Sequence, residues 1–428
     1  MQPHTLSVYD MLDDNICCPN QMPSRKERKE TNRSFVSLFS GCGGLDLGFQ
    51  QAGFRCIGAY DADQVALETH SRNLDSPTFR CDLSLAHLPN KINVKPAVVV
   101  AGSPCQGFST IGKREIDDKR NDLLLAAGKI AATLKPNFFI AENVPAVVYG
   151  SHAKYWEQLI ELLRAEGYSC STLLLKASDF NVAQMRRRLF LVASRKSSMG
   201  TLDIPGTGNL TVGEALGNLE SSVANHEPVL LDCRSTEYLI ARRIKPGQKL
   251  CNVRISDRSV HTWNIPEVFG DTSKLERAIL VLVTRLRRRE RVRTFGDADP
   301  VSLAVLKREL GFDPTPQLVA LKEKGYIRDF EKAKYDLTHT FNGKFRRLDA
   351  NGVSPTVDTR FGAARNFLHP FEDRALTVRE AARLQGFPDT FRFEGGRAQQ
   401  YKCVGNAVPP PMARSIASQL MKLIAEGA

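Results

Sequence analysis

The sequence predicts an α/β fold in which a mostly parallel sheet carries helices on both faces, with a smaller second domain attached. Between residues 35 and 195, short apolar runs alternate with segments whose apolar residues recur at helical spacing. This alternation is typical of parallel sheets, because each crossover between parallel strands needs a covering helix. From about residue 200, glycine, proline and polar residues interrupt the alternation. The predicted parts are a flexible N-terminal arm at 1–33, a first domain at 34–204, a second domain at 205–369 and a return to the first domain at 370–428.

Six apolar runs of the first domain are predicted strands. In chain order they are FVSLF, FRCIGAY, AVVVAG, NFFIAEN, STLLLKA and LFLVASR. The segments DLLLAAGKIAATL and YWEQLIELLRAEG have the spacing of amphipathic helices. Ligands of such sheets bind beyond the carboxyl ends of the strands, so the residues that follow each strand are candidates for a functional site.

Residues 273–340 of the second domain resemble a winged helix. The segment SKLERAILVLVTRLRRRERVR places Leu275, Ile279, Leu282 and Leu286 on one helical face. PVSLAVLKREL and TPQLVALKEKGYI follow, before a hairpin-like end. A winged helix places one helix in a groove of DNA. A small helical bundle with a solvated arginine face is the alternative.

Composition narrows the class of protein. The 428 residues carry a net charge of +12, which suits a polyanionic partner such as nucleic acid, although charge alone does not establish one. The sequence contains no run of about 18 apolar residues, so it predicts no membrane span. Its first residues lack the pattern of a secretory signal. The ten cysteines are scattered without paired CxxC motifs, which argues against structural zinc and a disulfide framework. We therefore expect a reducing, cytoplasmic compartment and mostly core cysteines.

A glycine turn and two acids predict a cofactor site. Gly41, Gly43 and Gly44 lie between the first strand and the first helix, where glycine lets the backbone approach a ligand closely. Asp61 and Asp82 end the next two strand segments, where a carboxylate can accept hydrogen bonds from a ribose. Together they predict a site for an adenosine-containing cofactor. A tight turn without a ligand, and two helix caps, are the alternatives.

Reactive side chains follow the later strands. Cys105 stands after AVVVAGSP among residues that do not build a core, and it is a candidate nucleophile, although a lone cysteine is more often inert. Glu142 ends the next strand and is a candidate general acid or hydrogen-bond donor, or half of a buried ion pair. In QMRRRLFLV, Arg186 and Arg188 stand two residues apart and are expected to share one face of an extended segment. A solvated charge run is the alternative.

Six motifs in one order identify a family resemblance. FSGCGGLDLGF, GSPCQGFS, ENV, QMRRR, RALTVREAARLQGFP and GNAVP resemble the cytosine-5 DNA methyltransferase family. The similarity extends from residue 35 to the C-terminus, except for about 200–340. It implies a Rossmann-like methyltransferase sheet, a target-recognition domain at 205–369, S-adenosylmethionine as methyl donor without a metal, and double-stranded DNA as substrate.

The resemblance also implies a role for each matched residue. Cys105 would add to carbon 6 of a cytosine flipped out of the duplex, Glu142 would hold and protonate its N3, and Arg188 with Arg186 would orient the base. Asp61 takes a ribose position that is commonly glutamate in the family. The implied cofactor-binding residues are Phe39, Gly41, Gly43, Gly44, Asp61, Asp82, Pro104, Asn406 and Val408. The implied DNA-facing residues are Gln106, Ser109, Arg120, Gln184 and Thr356.

Two other classes of function are alternatives. An RNA cytosine methyltransferase would share the fold, but the large arginine-rich second domain favours DNA. A non-catalytic DNA-binding protein should have lost Cys105, Glu142 or Arg188, and all three are present. We expect a monomeric bacterial enzyme acting on nucleoid DNA. Its functional partner is a cognate restriction endonuclease, unless it is an orphan.

Overall fold

A seven-stranded sheet organises the first domain. The computed structural model describes residues 33–90, 92–104, 122–195, 202–293, 298–331 and 333–426. Across the sheet the strand order is β3-β2-β1-β4-β5-β7-β6, and β7 alone runs antiparallel to its neighbours. The predicted α/β class with a mostly parallel sheet is confirmed. The strands are β1 Ser34–Leu38, β2 Arg55–Asp61, β3 Thr78–Arg80, β4 Val98–Ala101, β5 Phe138–Asn143, β6 Ser169–Lys176 and β7 Arg187–Ser194.

Helices cover both faces of this sheet. On β4, Val98 and Val100 belong to one buried cluster, whereas Val99 and Ala101 belong to another, as the alternation of side chains along a strand requires. Helices α1 and α13 bury the first cluster, and α3 and α4 bury the second. The helices of this part are α1 Gly44–Gln51, α2 Gln64–Asn73, α3 Asp122–Leu134, α4 Ala153–Ala165, α11 Val378–Leu384, α12 Arg397–Asn406 and α13 Pro410–Glu426.

The chain end returns to the first domain. Helix α13 packs against α1, so the last helix supports the first one. A third buried cluster joins α11 and α12 to the turn before α1 and to α2. This return places α12 beside the carboxyl edge of the sheet.

Short elements build the second domain. Strands β8, β9 and β13 form a three-stranded sheet in the order β13-β8-β9, and β14 pairs in parallel with β15. These strands are β8 Lys249–Cys251, β9 Ser259–Val260, β13 Asn342–Lys344, β14 Arg346–Arg347 and β15 Phe367–Leu368, and the short helices are α5 Val212–Leu216, α6 Thr236–Ala241 and α7 Pro266–Phe269.

An insertion between β9 and β13 has the element order of a winged helix. One helix is followed by a short strand, two helices and two further strands, and the three strands form an antiparallel sheet in the order β10-β12-β11. The segment has its own buried core, beside which Arg287 forms an ion pair with Asp336. Its elements are α8 Lys274–Arg289, β10 Val301–Ser302, α9 Leu303–Leu310, α10 Thr315–Glu323, β11 Ile327–Asp329 and β12 Lys334–Leu337.

None of the helices in the described ranges is both long and apolar enough to cross a membrane. The arm predicted at 1–33 lies outside these ranges except for Arg33.

Candidate active site

The chain leaves β1 through a tight turn that depends on glycine. Phe39, Gly41 and Gly43 have positive φ angles of 54°, 54° and 92°. A Cβ on Gly44 would lie 2.5 Å from the carbonyl oxygen of Val408, whereas one on Gly41 would meet no described atom within 4 Å. The turn is therefore closed against the C-terminal segment at one end and open at the other, where a ligand can approach the backbone.

A buried network of polar side chains packs against the turn. The Ser37 hydroxyl donates to Asp46 at 2.6 Å, and His70 Nε2 lies 2.7 Å from the other oxygen of that carboxylate. Asp46 and His70 are fully buried. A Cβ on Gly43 would lie 2.8 Å from the His70 ring, so this network leaves room for glycine alone. Sequence reasoning did not single out these three side chains.

Asp61 is positioned at the end of β2 beside the turn. Its carboxylate accepts hydrogen bonds from the Gly41 N–H and the Asp63 N–H, both at 2.8 Å. Burial raises the pKa of Asp61 above the ordinary aspartate value, against the lowering effect of these two bonds. The bonds fix the orientation of the carboxylate next to the open part of the turn. This arrangement can accept hydrogen bonds from a ribose.

Asp82 is exposed in the segment that follows β3. Its carboxylate accepts the Ser84 N–H at 2.9 Å, and this bond lowers the pKa of Asp82. The bond caps a short 3₁₀ turn at Leu83–Leu85, which is the alternative that the sequence left open for this residue. Contact with an adenine amino group stays a prediction.

The ends of β4 and β5 are tied together at the same sheet edge. Asn143 is fully buried, and its side-chain amide donates to the Ser103 hydroxyl at 3.3 Å. Pro104 follows, half-buried, as the last described residue of this segment. The predicted nucleophile and three predicted DNA-facing residues lie outside the described ranges: Cys105, Gln106, Ser109 and Arg120. Asn143 was not predicted as a site residue, although an amide directly after the acid of β5 is a signal for it.

An ion pair joins β5 to β7 at this edge. Arg188 Nε lies 2.6 Å from Glu142 Oε1, and the two side chains are only 12% and 10% exposed. Arg188 also donates through Nη1 to the Arg187 carbonyl at 2.8 Å. The ion pair that was left open as one alternative is present, and it places a carboxylate at the sheet edge.

Arg186 has different surroundings from Arg188. Its Nη1 donates to the carbonyls of Val357 and Gly405, each at 3.0 Å, and its Nη2 donates to the Asn406 carbonyl at 3.4 Å. The side chain is 1% exposed. Arg186 precedes β7 and joins the sheet to two segments from the far end of the chain. We therefore assign it to positioning these segments rather than to contact with a base.

Gln184 is also a buried connector. Its amide group donates to the Leu384 carbonyl at 3.1 Å and contacts Gln385, and its oxygen accepts the Val357 N–H at 3.0 Å. The side chain is fully buried. It therefore joins the sheet to the C-terminal segments, and contact of Gln184 with DNA stays a prediction. Thr356, next to Val357, is half-buried and stays a predicted DNA-facing residue.

The C-terminal segment completes the cofactor side of the site. Val408 is buried with its carbonyl against Gly44, whereas Asn406 is exposed at the end of α12. The half-buried Phe39 packs against the cluster on the α3 and α4 face. The structure thus gathers the glycine turn, Asp61, the Glu142–Arg188 pair and the end of α12 along one edge of the sheet.

These features fit the Rossmann-like methyltransferase sheet that the resemblance implied, with an acid-lined site at its carboxyl edge. A family model described as C-5 cytosine-specific DNA methylase matches residues 33–422. The type II methyltransferase M.XorII of Xanthomonas oryzae pv. oryzae is 30% identical over 409 residues, which cover 91% of this chain and 84% of the relative. M.AgeI of Thalassovita gelatinovora is 28% identical over 434 residues, which cover 90% of this chain and 98% of the relative.

Solved structures agree with this match. A prophage-encoded DNA modification methyltransferase of E. coli superposes with a TM-score of 0.57 at 25% identity, covering 92% of this chain and 99% of the other. The chain belongs to the C-5 cytosine-specific DNA methylase family, and it is a DNA cytosine methyltransferase.

Proposed function

We propose that the protein transfers a methyl group to carbon 5 of a cytosine that is flipped out of a specific DNA sequence, through a covalent adduct with Cys105. The observation that carries the proposal is the Glu142–Arg188 pair at the end of β5, next to the strand that leads through Ser103 and Pro104 to Cys105. A carboxyl group and a thiol on adjacent strand ends can engage two sides of one pyrimidine ring.

The chemistry requires the base outside the helix. Within a stacked duplex the neighbouring bases cover both faces of the cytosine ring, so a thiol cannot add to carbon 6 and the nucleotide must be extruded. The Cys105 thiolate would add to carbon 6 while Glu142 holds and protonates N3, which makes carbon 5 nucleophilic. Loss of the carbon 5 proton after methylation would then expel the thiolate and restore the ring.

The glycine turn and Asp61 fit a nucleoside cofactor. Gly41 leaves open space in front of its backbone, and Asp61 presents a fixed carboxylate beside it. Asp61 would hold the ribose, and Val408 and Asn406 would bound the site from the C-terminal segment. When bound, S-adenosylmethionine supplies the methyl group.

The second domain would recognise the DNA sequence. Its winged-helix segment exposes α10, which follows α9 as the second helix of a helix-turn-helix pair follows the first. In helix-turn-helix proteins bound to DNA, the second helix lies in the major groove. The names of the relatives favour a restriction–modification system, with a cognate endonuclease as the functional partner. Action as a monomer is part of the same proposal.

A trapping experiment tests the covalent step. A long duplex made with 5-fluorocytosine supplies every short sequence, and fluorine cannot leave carbon 5 as the proton does. With S-adenosylmethionine, the wild-type protein should form a complex that survives denaturing electrophoresis. Cys105→Ser should form none, whereas Cys233→Ser, which alters an exposed thiol, should behave as wild type. A trapped complex with Cys105→Ser would refute the proposed nucleophile.

A further inference from the structure

Two cysteines that are 361 residues apart meet at the glycine turn. Cys42 stands within the turn, and Cys403 lies on α12. The Cys42 thiol donates to the Cys403 carbonyl oxygen at 3.5 Å, so the two residues are in direct contact. Their residues are 3% and 8% exposed. Both are core residues, as expected for most of the cysteines, and they belong to the same buried cluster.

We propose that Cys42 and Cys403 form a reversible disulfide under peroxide, and that this disulfide weakens cofactor binding. The second part rests on the proposed use of the glycine turn by S-adenosylmethionine. The site is a modification site in which a hydroperoxide is the oxidant and a thiol is the reductant.

The surroundings assign a different role to each thiol. The neighbouring Cys42 side chain is the main cause that lowers the pKa of Cys403. The neighbouring Cys403 side chain, together with burial, raises the pKa of Cys42. Thiolate is the form that reacts with peroxide, so Cys403 reacts first and Cys42 resolves the product.

The steps balance with one hydroperoxide. The Cys403 thiolate attacks a peroxide oxygen, the O–O bond breaks, and a sulfenic acid and hydroxide form. The Cys42 sulfur then attacks the sulfenic sulfur, the S–S bond forms, and water leaves with the Cys42 proton. The two thiols lose two electrons and the peroxide gains them. Thiol–disulfide exchange with an added reductant restores both thiols.

The new bond shortens a contact inside the cofactor site. A disulfide holds its sulfurs about 2.05 Å apart, well below the distance at which two unbonded thiols can pack. Helix α12 is anchored next to Cys403, where Lys402 Nζ pairs with Asp63 at 2.6 Å. We expect the turn to shift, and the turn carries the Gly41 N–H that fixes the Asp61 carboxylate. Loss of hydrogen bonds to a charged group weakens binding about tenfold or more.

The experiment uses the full chain with Cys105→Ser, so that the proposed catalytic thiol does not react. The protein is treated with hydrogen peroxide, digested without reductant and analysed by mass spectrometry. The binding of S-adenosylhomocysteine is measured by calorimetry before oxidation, after oxidation and after reduction. We expect a linked Cys42–Cys403 peptide pair. The affinity of the oxidised protein should be lower than that of the reduced protein by a factor of about ten or more, and reductant should restore it fully.

Two further variants separate the outcomes. Adding Cys403→Ala should abolish both the link and the loss of affinity, whereas Cys170→Ala, which removes a half-buried thiol on β6, should change neither. Unlinked peptides would overturn the disulfide, and linked peptides with unchanged affinity would overturn its effect on binding. A reduced protein that binds no S-adenosylhomocysteine would instead contradict the proposed cofactor site, while linked peptides would still establish the disulfide.

Discussion

Replacing Arg186, whose guanidinium is buried, tests whether this residue positions the C-terminal segments or contacts the flipped base. Arg186→Met removes three hydrogen bonds to the carbonyls of Val357, Gly405 and Asn406 while keeping most of the apolar volume. Each buried group left without a partner costs about 1–3 kcal/mol, and relief from burying a cation offsets part of the sum. We expect the free energy of unfolding to fall by about 3 kcal/mol.

Urea unfolding and steady-state kinetics test this role together. The folded Arg186→Met protein should largely retain kcat with a raised KM for the cofactor, because the released Asn406 backbone borders the cofactor side of the site. Arg187→Met, at the exposed neighbouring position, is the matched control and should leave both quantities unchanged. An Arg186→Met variant with wild-type stability and a strongly lowered kcat would refute the reasoning. It would indicate instead that Arg186 contacts the flipped base.

Four further predictions concern the site and the DNA-reading segment. Arg188→Met should lower kcat about a hundredfold or more in a methyl-incorporation assay, because it frees the carboxylate that the arginine holds at 2.6 Å; wild-type turnover would contradict the assignment. Gly44→Ala should weaken cofactor binding in calorimetry, since overpacking costs about 1–3 kcal/mol and the gain in helix propensity returns only about 1 kcal/mol; unchanged affinity would show that the C-terminal segment is not closed on the turn. Because burial raises the pKa of Asp61, its carboxylate takes up a proton at a higher pH than an ordinary aspartate, so cofactor affinity should fall as the pH drops from about 7 to about 5; a fall of the same size in Asp61→Asn would exclude this group as its cause. Val319→Glu on the exposed face of α10 should weaken DNA binding about tenfold by repulsion from phosphates, whereas Leu275→Glu on α8 should not; equal effects would refute α10 as the reading helix.

The predictable part of the site follows from the geometry of parallel strands. The glycine turn, Asp61 and Glu142 each follow a strand directly, and the carboxyl ends of parallel strands share one edge. A local pattern of apolar runs was therefore sufficient to bring these residues together. The winged-helix order at 273–340 also follows from local signals, since apolar residues recur at helical spacing in α8 and α9.

The parts that depend on distant contacts could not be predicted in this way. Because side chains alternate between the two faces of a strand, Arg186 and Arg188 were expected to share one face and one role. Arg186 instead precedes β7 and donates to a carbonyl 219 residues away. The burial of Gln184 against residues 384–385 and the meeting of Cys42 with Cys403 likewise depend on how the chain end returns. The spacing of apolar residues within a segment does not show where the chain end packs against the first domain.

One measurement tests the central claim most directly. The protein is expressed in cells that lack cytosine methylation, and their genome is sequenced after bisulfite treatment, with Cys105→Ser as the matched control. The account predicts protected cytosines in one short, recurring sequence with the wild-type chain, and none with Cys105→Ser. Protection that persists with Cys105→Ser, or a wild-type genome without a protected cytosine, would contradict it.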